Sequence, residues 1–95
     1  MKKYFVYILA NKFNGTLYVG VTSDLLKRVW EHKNKVVGGF TNDHNVAMLV
    51  HFEEFLDPKE AILREKRVKS WKRIWKIRLI EETNPSWQDL YDEIV

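Results

Sequence analysis

The strongest constraint on the fold is a turn signal that separates two apolar segments near the start of the chain. Asn14-Gly15 is the dipeptide most typical of a two-residue β-hairpin turn, and β-branched and aromatic residues dominate the flanking segments 2–9 and 16–21. A tight turn can join only antiparallel strands. The sequence therefore predicts that the chain begins with an antiparallel hairpin.

The alternation of side chains along this hairpin places two tyrosines on one face. A two-residue turn pairs positions that sum to 29, so that Tyr7 would lie opposite Thr22. Every unbulged register in which the paired positions add up to an odd number puts the same four residues on one face: Tyr7, Leu9, Tyr18 and Gly20. Glycine beside Tyr18 would leave room for a ligand or another backbone to approach. The competing interpretation is two core tyrosines and a packing glycine.

Helix and strand signals follow along the rest of the chain. Asp24 is a candidate N-cap, Asp57-Pro58 is typical of a helix start, and Asn84-Pro85 is typical of a helix end. Ser70 and Ser86 are candidate N-caps of two later helices. The predicted segments are a helix over 24–34, a loop over 34–45, a strand over 46–55 and helices over 58–69, 71–83 and 87–94. The order β-β-α-β-α-α-α predicts an α+β fold, with a small three-stranded antiparallel sheet flanked by helices.

The composition limits which kinds of site the chain can build. Its 95 residues are 45% hydrophobic, which suits one small domain over residues 1–95. The sequence contains no cysteine, which excludes disulfides and thiolate metal sites and fits a cytoplasmic location. No apolar run is long enough for a membrane span, so we expect no membrane partner.

The first predicted helix carries two polar side chains at the edge of its apolar face. Leu25, Arg28 and His32 are spaced three and four residues apart and therefore share one stripe. An arginine at this edge either lays its aliphatic stem on the core or grips a phosphate through two parallel hydrogen bonds. The sequence leaves both interpretations open.

Glu65 interrupts an otherwise apolar stripe. It lies four residues after Ala61 and three before Val68, on the inward side of helix 58–69. A carboxylate on a core face is costly unless it is paired or binds a metal. An ion pair with Arg28 and a divalent cation are the two candidate solutions, and the sequence does not separate them.

Positive charge is concentrated in one segment of a chain whose net charge is only +3. Basic residues dominate between positions 59 and 78, a pattern typical of a phosphate-binding surface. The alternative to a phosphate-binding surface is a charged helix face that only contacts solvent. Trp71 and Trp75, four residues apart, are interpreted as core residues rather than base-stacking platforms. The residues that such a surface would offer to phosphates are Lys66, Arg67, Lys69, Lys72, Arg73 and Lys76.

Together these residues resemble the motifs of the GIY-YIG nuclease domain. In that family one strand motif ends in Tyr, the next strand carries Tyr-Ile-Gly or Tyr-Val-Gly, and an Arg, a Glu and often an Asn follow on later helices. The matching residues are Phe5-Val6-Tyr7, Tyr18-Val19-Gly20, Arg28, His32, Glu65 and Asn84, within residues 3–85. Phe5 and Val6 replace the Gly and Ile of the first motif, which we expect to change packing rather than chemistry. The chain is similar to the small stand-alone bacterial members and to the GIY-YIG catalytic domain of the excision-repair nuclease.

The resemblance implies an endonuclease that hydrolyses DNA phosphodiester bonds with one divalent metal ion, Mg²⁺ or Mn²⁺. Glu65 would bind the metal, and Arg28 would neutralise the charge that develops on the phosphate. Tyr7, or else Tyr18 or His32, would orient or deprotonate the attacking water. The implied partner is DNA, including branched or single-stranded forms, in a process such as DNA repair.

Several assignments stay open at the level of sequence. Asn84 either orients the site or caps the C-terminus of its helix. Thr41, His44 and His51 have no assigned role, because loop polarity and strand packing account for them. The alternatives to a nuclease are a non-catalytic nucleic-acid-binding domain on the same fold and a protein-interaction module. The first of these would not need Glu65 on the inward stripe.

Overall fold

A three-stranded antiparallel sheet forms the centre of the computed structural model, which describes residues 1–36 and 38–95. The strands are β1 (Tyr4–Ala10), β2 (Leu17–Thr22) and β3 (Met48–Phe55), in the spatial order β2-β1-β3. The central strand β1 is the most apolar and also the most buried, as expected for a strand covered on both faces. The predicted α+β class and the three-stranded sheet are confirmed.

Helices flank the sheet, and two of them begin at the predicted caps. The Asp24 carboxylate accepts a hydrogen bond from Lys27 N at 3.1 Å, and the Asp57 carboxylate accepts one from Lys59 N at 2.9 Å. No helix in the ranges 1–36 and 38–95 is long and apolar enough to cross a membrane. The helices are α1 (Leu25–Lys33), α2 (Phe40–Asp43), α3 (Pro58–Ser70), α4 (Arg73–Thr83) and α5 (Tyr91–Ile94).

Three predicted boundaries are wrong. The segment 34–45 is not only loop, because it contains the short helix α2. Ser70 ends α3 instead of capping α4, whose N-cap is Lys72. The last helix covers only Tyr91–Ile94, because Trp87 adopts a left-handed φ of 57° that a helix cannot contain. The indole of Trp87 is fully buried, so packing outweighs the capping signal of Ser86.

The hairpin has the predicted face but not the predicted turn. Its pairs sum to 27, with Tyr7 opposite Gly20, so the turn is centred on Phe13-Asn14 instead of Asn14-Gly15, and the last strand pair is Ala10 with Leu17. Asn11 closes this turn: its N–H donates to Thr16 O at 3.3 Å, and its side chain accepts from Thr16 N at 2.8 Å. Because 27 and 29 are both odd, the two motif tyrosines still share one face, as predicted.

Each face of the sheet carries its own core. One core contains Val6, Ile8 and Val19 with residues of α3 and α4, and the other contains Tyr7 and Leu9 with residues of α1. The helices are therefore distributed over both faces of the sheet, and the residues of β1 alternate between the two cores.

The segment after α4 joins the two cores around the edge strand β3. Trp87 belongs to the first core, whereas Leu90 packs against the second. Leu90 N donates to Leu49 O at 2.7 Å, and the Asp89 carboxylate accepts from Leu49 N at 3.1 Å. Asp89 also pairs with Lys33 of α1. These contacts satisfy backbone groups of an edge strand that would otherwise be open to pairing.

A polar cluster ties β3 to α3. Glu53 accepts two hydrogen bonds from Arg64, at 2.8 and 2.9 Å, and lies 2.8 Å from His51 Nε2. Burial acts to raise the pKa of Glu53, but the hydrogen bonds with His51 and Arg64 outweigh it and lower that pKa to about 2.

This cluster predicts an acid-dependent loss of stability. A carboxylate whose pKa is lower in the folded state stabilises the fold above its unfolded value of 4.5, and the stabilisation is lost as pH falls towards 2. We expect the free energy of unfolding of Glu53→Gln to fall less than that of the wild type as the pH is lowered, by up to about 3 kcal/mol. Urea unfolding followed by circular dichroism between pH 6 and pH 2 measures it. Glu54→Gln, at an exposed neighbour paired with Lys3, is the control. Equal pH slopes in wild type and Glu53→Gln would contradict the assignment.

Candidate active site

The site begins with a close approach between Tyr7 and Gly20. A β-carbon added at Gly20 would lie 2.5 Å from both Cζ and the hydroxyl oxygen of Tyr7. The phenol of Tyr7 therefore reaches from the central strand across the edge strand β2. The expectation that Gly20 leaves space for a ligand is wrong, because the space is filled by the Tyr7 ring.

Three rings meet above this glycine. The hydroxyl oxygen of Tyr7 lies 3.3 Å from His32 Nε2, within hydrogen-bonding distance. The ring of Tyr18 is centred 5.5 Å from that of His32 and 6.3 Å from that of Tyr7. Tyr7 and His32 are both buried. The structure thus brings together the two motif tyrosines and the helix histidine.

Thr41 is a fourth member that the sequence did not reveal. Its Oγ1 lies 3.0 Å from His32 Nδ1, and both side chains are buried. Thr41 is held by α2, whose four residues are too few to produce a helical pattern in the sequence. The imidazole is therefore hydrogen-bonded at both nitrogens, which fixes its orientation.

Arg28 lies at the edge of this cluster. Its guanidinium is 3.3 Å from Glu31, and its side chain is 37% exposed. The Tyr7 hydroxyl acts to raise the pKa of Arg28. Arg28 also lines an open depression of about 370 Å³ at the start of α1, beside Thr22 and Lys27. The proposed ion pair between Arg28 and Glu65 is not formed among the described residues.

Glu65 contributes the carboxylate from α3. Its side chain is only 12% exposed, and its one ion-pair contact in the described ranges is with Lys69 at 3.6 Å. The negative charge of Glu65 makes only a small contribution to the raised pKa of Tyr7. The described residues contain no group of three acidic, histidine or cysteine side chains that could hold a metal together. A single carboxylate oxygen donor suits Mg²⁺ or Mn²⁺, because Mg²⁺ binds oxygen and keeps several of its waters.

The two central side chains are both neutral near pH 7. Burial raises the pKa of Tyr7 to about 12, although Arg28 acts in the opposite direction. Burial and the charge of Arg28 lower the pKa of His32, so its imidazole stays uncharged. A neutral phenol next to a neutral imidazole is a pair between which a proton can move.

Asn84 occupies a structural position. It is the C-cap of α4, and its buried amide donates to Val50 O at 3.0 Å and to Gln88 O at 2.9 Å. Its side-chain oxygen accepts from Gln88 N at 2.9 Å. Val50 belongs to the core on the face opposite Tyr7. These contacts favour the cap interpretation of Asn84 over a role at the site.

The predicted basic residues divide between two sides of α3. Lys69 Nζ lies 3.6 Å from the Glu65 carboxylate. Burial, together with the charges of Arg73 and Lys69, lowers the pKa of Lys76. Arg73 also donates to Asn14 O at 2.8 Å, at the tip of the hairpin. Arg67 instead lines a separate depression, which lies on the other side of α3. Lys66 and Lys72 are exposed.

The family model of the GIY-YIG catalytic domain matches residues 3–78. The chain belongs to the GIY-YIG family. GIY-YIG domains are generally nucleases and generally use a divalent metal. The match includes Tyr7, Tyr18, Arg28 and Glu65, whereas Asn84 lies beyond its end.

Individual relatives of this GIY-YIG protein are also small. It is 35% identical over 82 residues to a UPF0213 protein of Staphylococcus saprophyticus, which covers 86% of this chain and 99% of the relative. It is 37% identical over 79 residues to a UPF0213 protein of Haloquadratum walsbyi, covering 83% and 88%. The solution NMR structure of the UPF0213 protein BH0048 from Bacillus halodurans aligns with a TM-score of 0.57, at 26% identity, over 92% of each chain.

Gly20→Ala tests the close approach of Tyr7. The new methyl group must displace the Tyr7 ring, and overpacking of this kind costs about 1–3 kcal/mol. We expect a matching fall in the free energy of unfolding, measured by urea denaturation. Gly38→Ala is the matched control, since nothing lies within 4 Å of a β-carbon at that position. Equal stability of the two variants would show that Tyr7 does not lie across β2.

Thr41→Val tests the hydrogen bond to His32. The variant keeps the side-chain volume but leaves buried Nδ1 without its partner, at a cost of about 1–3 kcal/mol. We expect the ¹⁵N chemical shifts of the His32 ring to report a changed balance of tautomers, and Thr41→Ser to restore the wild-type shifts. Unchanged ring shifts in Thr41→Val would exclude Thr41 as the residue that sets the tautomer.

Proposed function

We propose that this GIY-YIG protein is an endonuclease that hydrolyses DNA phosphodiester bonds with one divalent cation. The observation that carries the proposal is the hydrogen bond between the Tyr7 hydroxyl and His32 Nε2, made next to Arg28 and within the field of Glu65. This arrangement combines a route for a proton, a cation for the phosphate and an oxygen ligand for a metal. Those are the parts that phosphodiester hydrolysis requires.

Tyr7 and His32 act as a pair in the proposed proton transfer. With a pKa of about 12, the Tyr7 hydroxyl is not ionised at neutral pH and is a poor base by itself. As the attacking water gives a proton to the Tyr7 oxygen, the phenolic proton moves to His32 Nε2. In the tautomer that carries its hydrogen on Nδ1, His32 donates to Thr41 Oγ1, 3.0 Å away, and Nε2 is free to accept the phenolic proton. Tyr18 packs against the imidazole and holds its position.

Arg28 and Glu65 complete the proposed site. The Arg28 guanidinium has two nitrogen donors suited to a phosphate and is partly exposed at an open depression, so a strand can reach it. Glu65 is the residue that would hold Mg²⁺ or Mn²⁺. When bound, this cation supplies Lewis-acid stabilisation of the leaving oxygen.

The basic residues of α3 and α4 provide the proposed DNA-binding surface. Lys69 lies beside Glu65, and the charges of Arg73 and Lys69 act on Lys76, so positive charge continues from the site along α4. Contacts of this kind bind backbone phosphates without reading the base sequence. A non-catalytic binding domain would use the same surface but gives no reason for the Tyr7–His32 pair beside Glu65.

Glu65→Gln is the decisive variant. It keeps the side-chain shape but removes the charged ligand, so we expect cleavage to fall by at least about a hundredfold. Supercoiled, linear, branched and single-stranded DNA are incubated with Mg²⁺ or Mn²⁺, and Mn²⁺ binding is measured separately by electron paramagnetic resonance. Glu60→Gln, an exposed glutamate on the same helix, is the control.

The two readouts separate the alternatives. Cleavage and Mn²⁺ binding that both fall in Glu65→Gln but not in Glu60→Gln would support the proposal. Cleavage that survives in Glu65→Gln would overturn the assignment of Glu65. Salt-dependent DNA binding without cleavage by the wild-type protein would favour the non-catalytic alternative.

A further inference from the structure

Trp75 lies on the surface, in contrast to the core position expected from the sequence. Its side chain is 49% exposed, while Trp71 is partly buried against the first core. The two rings are centred 6.2 Å apart at 77° to one another, so the indole of Trp75 rests against the edge or face of Trp71. A half-exposed indole presents a large, flat apolar surface that a ligand can contact.

Trp71 is held firmly beneath it. The guanidinium of Arg64 lies 5.0 Å from the centre of the Trp71 ring, and Arg64 is itself bound by Glu53 through two hydrogen bonds. The chain of contacts from β3 therefore reaches the exposed Trp75. A ligand that stacks on Trp75 meets a surface that is already ordered, which reduces the entropy cost of binding.

The surroundings of Trp75 are strongly positive. Residues 66–80 include seven basic residues and no acidic one. Within the part of the chain that the structure describes, Lys72, Lys76 and Arg78 have no carboxylate within ion-pair distance. Trp75, Trp71 and Arg78 line one shallow depression of about 240 Å³, together with Leu79 and the acidic Glu82. An aromatic surface among unpaired cations is complementary to a polyanion that also carries flat apolar groups.

Positive charge connects this surface with the candidate active site. Lys76 follows Trp75 in α4, and the positive charges of Arg73 and Lys69 contribute to the lowered pKa of Lys76. Lys69 Nζ in turn lies 3.6 Å from the Glu65 carboxylate.

We propose that Trp75, supported by Trp71, stacks on an unpaired base of a nucleic-acid strand whose backbone lies along the basic residues of α4. This inference rests on the proposed nuclease function and narrows its substrate to strands with unpaired bases, such as single strands or the open parts of branched structures. Bases in a duplex present only their edges, so a protruding indole has no face to stack on. Base–aromatic stacking accepts every base and needs only a cationic surface to guide the backbone.

Trp75→Leu tests the stacking contact directly. Binding of a labelled oligothymidylate and of a blunt duplex of equal length is measured by fluorescence anisotropy in the presence of EDTA, so that no cleavage occurs. Loss of one stacked base costs about 1–3 kcal/mol, so we expect single-strand affinity to fall by at least about fivefold, with duplex affinity changed less than about twofold. Trp75→Phe should retain most of the affinity, because it keeps an aromatic face.

Trp30→Leu is the matched control. Trp30 is also 49% exposed, but it lies on α1 two residues from Arg28, on the side of that helix away from it. We expect this variant to bind both probes as the wild type does. A loss in Trp75→Leu that is equal for single strand and duplex, or no loss at all, would overturn the proposal. So would a change from dimer to monomer in Trp75→Leu, measured by analytical ultracentrifugation, because the indole would then be an interface between copies.

The outcome is independent of the nuclease test. If Glu65→Gln abolishes cleavage while Trp75→Leu leaves single-strand affinity unchanged, the stacking proposal fails and the nuclease proposal stands. If Glu65→Gln retains cleavage while Trp75→Leu loses single-strand affinity, the stacking contact stands and the assignment of Glu65 fails.

Discussion

The ring of Tyr7 can cross the edge strand of the sheet only because residue 20 has no side chain. The candidate site depends on this approach. The close approach places the Tyr7 hydroxyl, which extends from the buried central strand, within hydrogen-bonding distance of His32 Nε2. The charges of Arg28 and Glu65 also act on the Tyr7 phenol. With any larger residue at position 20, the phenol would have to leave the strand surface. The site then could not assemble from two faces of a small sheet.

The set of residues that share one face of the hairpin was predictable, because it depends only on whether the paired positions add up to an odd or an even number. Moving the register from a sum of 29 to a sum of 27 changes every pair but keeps Tyr7 and Tyr18 on the same side. The turn itself was not predictable from Asn14-Gly15. Its tip is stabilised by contacts made outside the dipeptide, from the side chain of Asn11 and from Arg73 on a distant helix.

Other parts of the site required tertiary information. Thr41 reaches His32 from a helix of four residues, too short to leave a pattern in the sequence. In the predicted helix 71–83 the spacing of Trp71 and Trp75 would place them on one face, whereas Trp71 lies between α3 and α4 in the structure. The spacing also cannot say which of the two indoles faces water. Asn84 was recognised as a helix end, yet its amide contacts with Val50 depend on how the chain returns to β3. Residue types and spacing could be read from the sequence, whereas these contacts come from how separate elements meet.

The surroundings of Glu65 give a physical reason to regard it as more than a packing residue. Its carboxylate is largely withdrawn from water, yet its partner Lys69 is 3.6 Å away and 62% exposed. Exposed pairs of this kind contribute at most about 1 kcal/mol, which is less than the cost of burying a carboxylate without full compensation. Arg28, the cation that could compensate it, is engaged with Glu31 instead. The folded protein therefore holds a largely buried glutamate whose one ion pair among the described residues is weak. A divalent cation bound at Glu65 would give this side chain a stronger partner than Lys69 does.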